Sequence, residues 1–119
     1  MSSQTASAKL VFLNSFDDLA AREARDRGYL SHVYVEAEDG SRYPVFFYDP
    51  VRLKQDLEEM TRHGRPCIGD PGMIIVPEVT LECMNKAITI LAQEGFFSYL
   101  QPLQSAEELD PAKTFGWPP

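Results

Sequence analysis

Cysteine is scarce in this chain. Cys67 and Cys83 are the only thiols, too few for a disulfide framework. Long apolar runs are missing too; none approaches the ~18 consecutive apolar residues that mark a membrane-spanning helix, so no membrane partner is expected. The opening MSSQTASAKL lacks an apolar segment behind a basic start, and residues 1–8 read as a disordered lead-in rather than an export signal. With no export signal and two cysteines, a reducing cytoplasm and free thiols are expected. Positive charge is also in deficit, with 11 Lys and Arg against 18 Asp and Glu and a formal net charge of −7. Phosphate backbones and anionic membrane faces select basic surfaces, so this balance argues against nucleic acid and lipid. Arg62, His63 and Arg65 crowd one junction, but three residues do not reverse that balance. Several motifs are absent as well: a glycine loop followed by Lys-Ser/Thr, GxGxxG, CxxC, HExxH and GxSxG. The nucleotide, zinc and hydrolase templates they mark have no support, and no cofactor is expected.

What is present is organised around residues 33–47, VYVEAEDGSRYPVFF. Two runs rich in Val, Tyr and Phe flank Glu38-Asp39-Gly40, the signature of a hairpin. A three-residue loop closed by Gly40 sets Ala37 opposite Ser41, Val35 opposite Tyr43 and Val33 opposite Val45. One face is then Val33, Val35, Ala37, Tyr43, Val45 and Phe47, and Glu36 meets Arg42 on the other as an ion pair. A two-residue loop would bring Arg42 onto the face of Val33 and Val35, so the longer loop is favoured. Pro44 then faces Tyr34 with its missing N–H directed away from the hairpin. That end of the strand is therefore either an edge or unpaired on its outer side.

Around the hairpin the remaining elements fall into order. KLVFL at 9–13 reads as a strand. Residues 16–27 form a lightly docked helix capped by Asn14 or Ser15 and closed by Gly28. Its Glu23 and Arg27 pair four apart on a surface, which is favoured over a buried catalytic Glu23. Asp49-Pro50 opens a second helix as cap and first helical residue. Leu53, Leu57 and Met60 form its apolar stripe, while the pairs Arg52/Asp56 and Lys54/Glu58 read as a solvated face. Residues 73–79 (MIIVPEV) form a continuous apolar run that suits a strand covered on both faces, with Pro77 at its fraying end. Thr80 caps a helix over 81–94. Its apolar arc exceeds half the circumference, more than one sheet face covers. Phe96, Phe97, Tyr99 and Leu100, or a second copy of the chain, would complete the cover. Residues 105–109 suit one helical turn, and the tail 111–119 reads as an extended arm carrying Phe115 and Trp117.

The fold expected is α+β: a single, mainly antiparallel sheet with helices on one face, in the order β-α-β-β-α-β-α. One domain spans 9–110. This order matches a ferredoxin-like βαββαβ sandwich with an added C-terminal helix, in which Pro44 sits awkwardly on an interior strand.

Two functional readings follow. The favoured one is a non-catalytic interaction or regulatory domain that pairs as a homodimer or with another protein, through Ile90, Phe96, Phe97, Tyr99 and Trp117. The alternative is a small-molecule site or enzyme built on residues 64–72, GRPCIGDPG. There His63 and Arg65 stand near Cys67, with Asp70 three residues on, and could activate the thiol. An isolated cysteine is more often a packed hydrophobe. A metal site would need His32, His63, Cys67 and Cys83 to converge from separate elements, so none is expected. Tyr34, Phe46 and Tyr48 could make an aromatic platform, but neighbouring Glu36 and Glu38 suit contact with protein, or with the first helix, rather than RNA.

Overall fold

The computed structural model describes residues 8–103. Among these, four strands form one sheet in the order β1-β2-β3-β4. The strands are β1 (Ala8–Phe12), β2 (Tyr29–Ala37), β3 (Arg42–Tyr48) and β4 (Met73–Ile75). The helices are α1 (Asp18–Arg27), α2 (Pro50–Arg62) and α3 (Leu81–Gln93), followed by a short 3-10 helix, Phe96–Tyr99. The α+β class, the element order and a mostly antiparallel sheet are as the sequence implies. The 105–109 turn and the 111–119 arm lie outside the described residues.

The hairpin forms in the expected register. Val33 pairs with Val45, Tyr34 with Pro44, Val35 with Tyr43 and Glu36 with Arg42. Gly40 closes the loop at φ +89°, a region where L side chains are strained. The Asp39 carboxylate accepts from the Ser41 amide at 2.9 Å, a bond that holds its carboxyl below the usual range. Glu36 and Arg42 lie 3.6 Å apart, and the Arg42 guanidinium sits over the Tyr34 ring. At the other end of β2, His32 adopts φ +61° where the register shifts between Leu30 and Val33. This bulge keeps Leu30 on the core side with Val33 while Tyr29 stays beside Tyr48.

The ferredoxin-like order is not what forms. That arrangement splits the two strands around the first helix with another strand between them. Here β1 and β2 pair directly and antiparallel. Side-chain matching explains the choice: Leu10 lies opposite Val35, Phe12 opposite Val33 and Lys9 opposite Glu36, apolar against apolar and cation against anion. β3 is interior, between β2 and a parallel β4. Pro44 is tolerated because β4 begins beyond it, with the Phe46 amide donating to the Gly72 carbonyl at 3.0 Å. On the far side of Pro44 the Leu103 amide donates to the Arg42 carbonyl at 2.7 Å. No strand asks Pro44 for the N–H it lacks.

β4 is shorter and more exposed than the run 73–79 implies. It ends at Ile75, which is half exposed. β3 stops at Tyr48 because Asp49-Pro50 starts α2, so the Val76 amide to the Tyr48 carbonyl is the last bond between them. Pro77 has no N–H to continue the ladder. α1 also starts later than expected. Asp17 caps it, accepting from Ala20 N at 2.9 Å, in place of Asn14 or Ser15. Phe16 is stacked on Phe12 with centroids 4.4 Å apart, which holds residues 13–16 in the connection.

The core lies on the face of Val33, Val35, Val45 and Phe47, covered by Ala24 of α1, Met84 and Ile88 of α3, Val76, Val79 and Phe97. Strand alternation sends Tyr34, Phe46 and Tyr48 to the other side of the sheet, where they are buried as well.

Candidate functional site

The most organised polar arrangement lies where β2 begins, β3 ends and α2 departs. Asp49 caps α2 through Arg52 N at 2.7 Å, and Pro50 is the first helical residue. The cap fixes the first turn and therefore the direction of Arg52 and, one turn on, Asp56. The Tyr48 hydroxyl donates to Asp56 Oδ2 at 2.7 Å. The other carboxylate oxygen, Oδ1, accepts from Arg52 Nε at 2.9 Å. The guanidinium covers the Tyr29 ring at 5.3 Å, and its Nη1 donates to the Arg27 carbonyl at 3.2 Å, the end of α1. Tyr29, Phe46 and Tyr48 form an aromatic floor beneath, with centroids 4.9 to 6.2 Å apart.

In this network both oxygens of Asp56 are used, and Arg52 satisfies a carboxylate, a carbonyl and a ring at once. The chemistry is that of a clasp. Burial, and then the Asp56 carboxylate that the hydroxyl donates to, push the pKa of Tyr48 far above the ordinary tyrosine range. Burial raises Tyr29 as well, against the opposing effects of Ser31 and Arg52.

An alkaline titration tests this. Tyr48 is expected to remain protonated through pH 11 in the folded chain, whereas an unfolded tyrosine ionises near 10. A folded-state value above the unfolded one means the contribution is complete below pH ~10 and is lost above it. Stability should therefore fall by up to ~1.4 kcal/mol per pH unit beyond pH 10 on account of Tyr48. Tyrosinate absorbance showing all five tyrosines ionised at pH 11 in folded protein would refute the buried geometry.

The sequence reading missed this clasp. Arg52/Asp56 and Lys54/Glu58 look alike as pairs four apart, yet their side chains differ: 26% and 20% exposed for the first, 75% and 55% for the second. A signal was available. At ~100° per residue, Asp56 falls between Arg52 and Met60, inside the half-buried stripe rather than opposite it.

The loop around Cys67 presents less. Cys67 is exposed and free. His63 turns back along α2, its ring nitrogen 2.9 Å from Glu59 Oε2, and Arg62 also pairs with Glu59. Asp70 opens the turn into β4, its carbonyl accepting from Met73 N at 3.3 Å. Its Oδ2 is buried without a hydrogen-bond partner among the described residues. His63 is thus engaged by a carboxylate of its own helix. Glu23 is an exposed partner of Arg27.

Among the described residues no three His, Cys, Asp or Glu side chains cluster to hold a metal. No described helix is long and apolar enough to cross a membrane. An open groove of about 440 Å³ runs beside the start of α3, lined by Arg25, Glu78, Thr80, Cys83 and Lys86. The Arg25–Glu78 ion pair lies at its side, 3.4 Å apart. Thr80 Oγ1 is committed to capping α3 through Cys83 N.

The surface expected to pair with another chain is divided. Phe97 is buried, stacked on Tyr43 at 5.9 Å. Phe96 is half-buried, edge-on to Phe97. Ile90 is 49% exposed and Tyr99 88%. Trp117 lies outside the described residues. No protein-family model, curated protein or solved structure matches the chain.

Proposed function

We propose that this chain is a non-catalytic interaction domain that associates with a second copy of itself through the outer flank of α3 and the 3-10 helix. The observation carrying this reading is the exposure of Ile90 and Tyr99 on an element pair most of whose other apolar residues pack into the core, Leu81 at the start of α3 being exposed as well. Met84 and Ile88 face the sheet. Phe96, Phe97 and Leu100 cover what they reach, and Ile90 and Tyr99 are left over. Phe97 supports the surface from beneath, and Trp117 is proposed to add to it. Large aromatic and aliphatic side chains of this kind are the usual anchors of an interface. The competing reading, a reactive Cys67, is weakened by the pairing of His63 with Glu59.

Light scattering on the full chain over a hundredfold concentration range tests the proposal. The expected mass is that of a dimer, reduced to a monomer by Ile90→Lys with Tyr99→Ser. Neither residue is in the core, so the folded monomer should keep its stability within about 0.5 kcal/mol. A monodisperse monomer throughout removes the proposal.

A further inference from the structure

We propose that α2 is a hinged cover: it can leave the aromatic floor of Tyr29, Phe46 and Tyr48 as a unit while the four strands, α1 and α3 stay folded. The inference is independent of self-association.

Three observations carry it. The first is how little α2 gives to the core. None of its residues is buried, and none belongs to the core cluster or to the partly buried side chains packed against it. α1 and α3, by contrast, each insert buried side chains. The second is what holds α2 down. It is tied to the end of β3 by the Tyr48–Asp56 hydrogen bond, to the start of β2 by the Arg52 guanidinium over Tyr29, and to the end of α1 by the bond from Arg52 to the Arg27 carbonyl. Water can replace these polar, directional contacts when the helix lifts, and the apolar side chains of α2 are at most half-buried. The third is the chain at either end. α2 leaves β3 directly at Asp49-Pro50. It is followed by Gly64 at φ +86° and a loop in which Arg65, Pro66, Cys67 and Gly69 are exposed. The Asp70–Met73 turn then re-enters the sheet. Elements with few buried contacts form the low-stability units that open below the global transition.

Opening requires Tyr48 to exchange Asp56 for water and uncovers Phe46 and Tyr48, which are fully buried when α2 is seated.

Native-state hydrogen exchange on the full chain, followed residue by residue against denaturant, tests the proposal. The α2 amides should exchange through one shared opening, at least about tenfold more populated than the opening that frees the β2 and β3 amides. Two variants separate this from general loosening. Tyr48→Phe removes a bond present only with α2 seated, so it should raise the α2 and strand openings by the same factor, about tenfold. Val35→Ala thins a core that both the seated and lifted states retain. It should raise the β2 and β3 openings about tenfold or more and leave the α2 opening unchanged. The proposal is overturned if wild-type α2 exchanges with the same opening constant as β2 and β3. It is equally overturned if Val35→Ala speeds α2 as much as the strands. The wild-type measurement stands even if a variant does not fold.

Discussion

Gly72→Ala is expected to destabilise the chain by about 3 kcal/mol or more, lowering its melting temperature by roughly 10–20 °C. Two requirements meet at this residue. Its φ is +89°, in the left-handed region that costs an L residue about 1–2 kcal/mol. A Cβ would also stand 2.5 Å from the Pro44 carbonyl oxygen and 3.3 Å from Val45 Cα, and both are backbone atoms of an interior strand. Neither partner can retreat cheaply. Pro44 and Val45 are held to Tyr34 and Val33 of β2. Gly72 is fixed by its own carbonyl, which accepts from Phe46 N, and by the Asp70–Met73 turn. That turn places Pro71 second and Gly72 third, the sequence pattern of a type II turn. The control is Gly69→Ala, where an added Cβ meets nothing within 4 Å; its effect should stay within about 0.5 kcal/mol. Urea unfolding of both variants decides the matter. Equal midpoints would mean that β4 does not approach β3 as described.

Local chemistry was legible in the sequence wherever a few adjacent residues determine their own geometry. The hairpin register could be derived because a slip of one residue would turn Arg42 into the core. Asp49-Pro50 and Thr80 announced their helices because the cap and the first turn are contiguous. Strand order was not legible in the same way. Whether β1 meets β2 directly depends on pairings such as Leu10 with Val35 and Lys9 with Glu36, some 25 residues apart, and an apolar run such as KLVFL matches more than one neighbour. Pro44 pointed to the correct constraint without naming the solution, since starting β4 only after Gly72 and placing β3 at an edge both accommodate it. The length of β4 was misjudged because composition shows that 73–79 is apolar but not that its partner strand ends at Tyr48. The clasp was hidden for a related reason. Arg52 and Asp56 satisfy each other along the helix, and the third member, Tyr48, is recruited from the preceding strand. On α3 the sequence showed an excess of apolar surface, but not that Phe97 would be absorbed by Tyr43 while Ile90 and Tyr99 would not.

Tyr48→Ala should cost about 4 kcal/mol, a large share of the ~5–15 kcal/mol that holds a domain of this size together. Truncating a buried aromatic ring to a methyl group costs about 3–5 kcal/mol through lost transfer energy and the cavity left behind. Tyr48 is among the largest fully buried side chains. Its ring is edge-on to Phe46 at 5.9 Å and tilted against Tyr29 at 4.9 Å, so both neighbours lose a partner. The hydroxyl adds its own contribution through Asp56, which keeps Arg52 and some access to water when the donor goes. Tyr48→Phe separates the two effects: it retains the ring, should cost about 1.5 kcal/mol as a hydrogen bond to a charged acceptor, and should abolish the part of the alkaline decline above pH 10 assigned to Tyr48. The ordering is what matters. Tyr48→Ala must be worse than Tyr48→Phe by about 2 kcal/mol or more in urea unfolding. Variants of equal stability would show that the ring contributes nothing beyond its hydroxyl, and the aromatic floor under α2 would then not be packed.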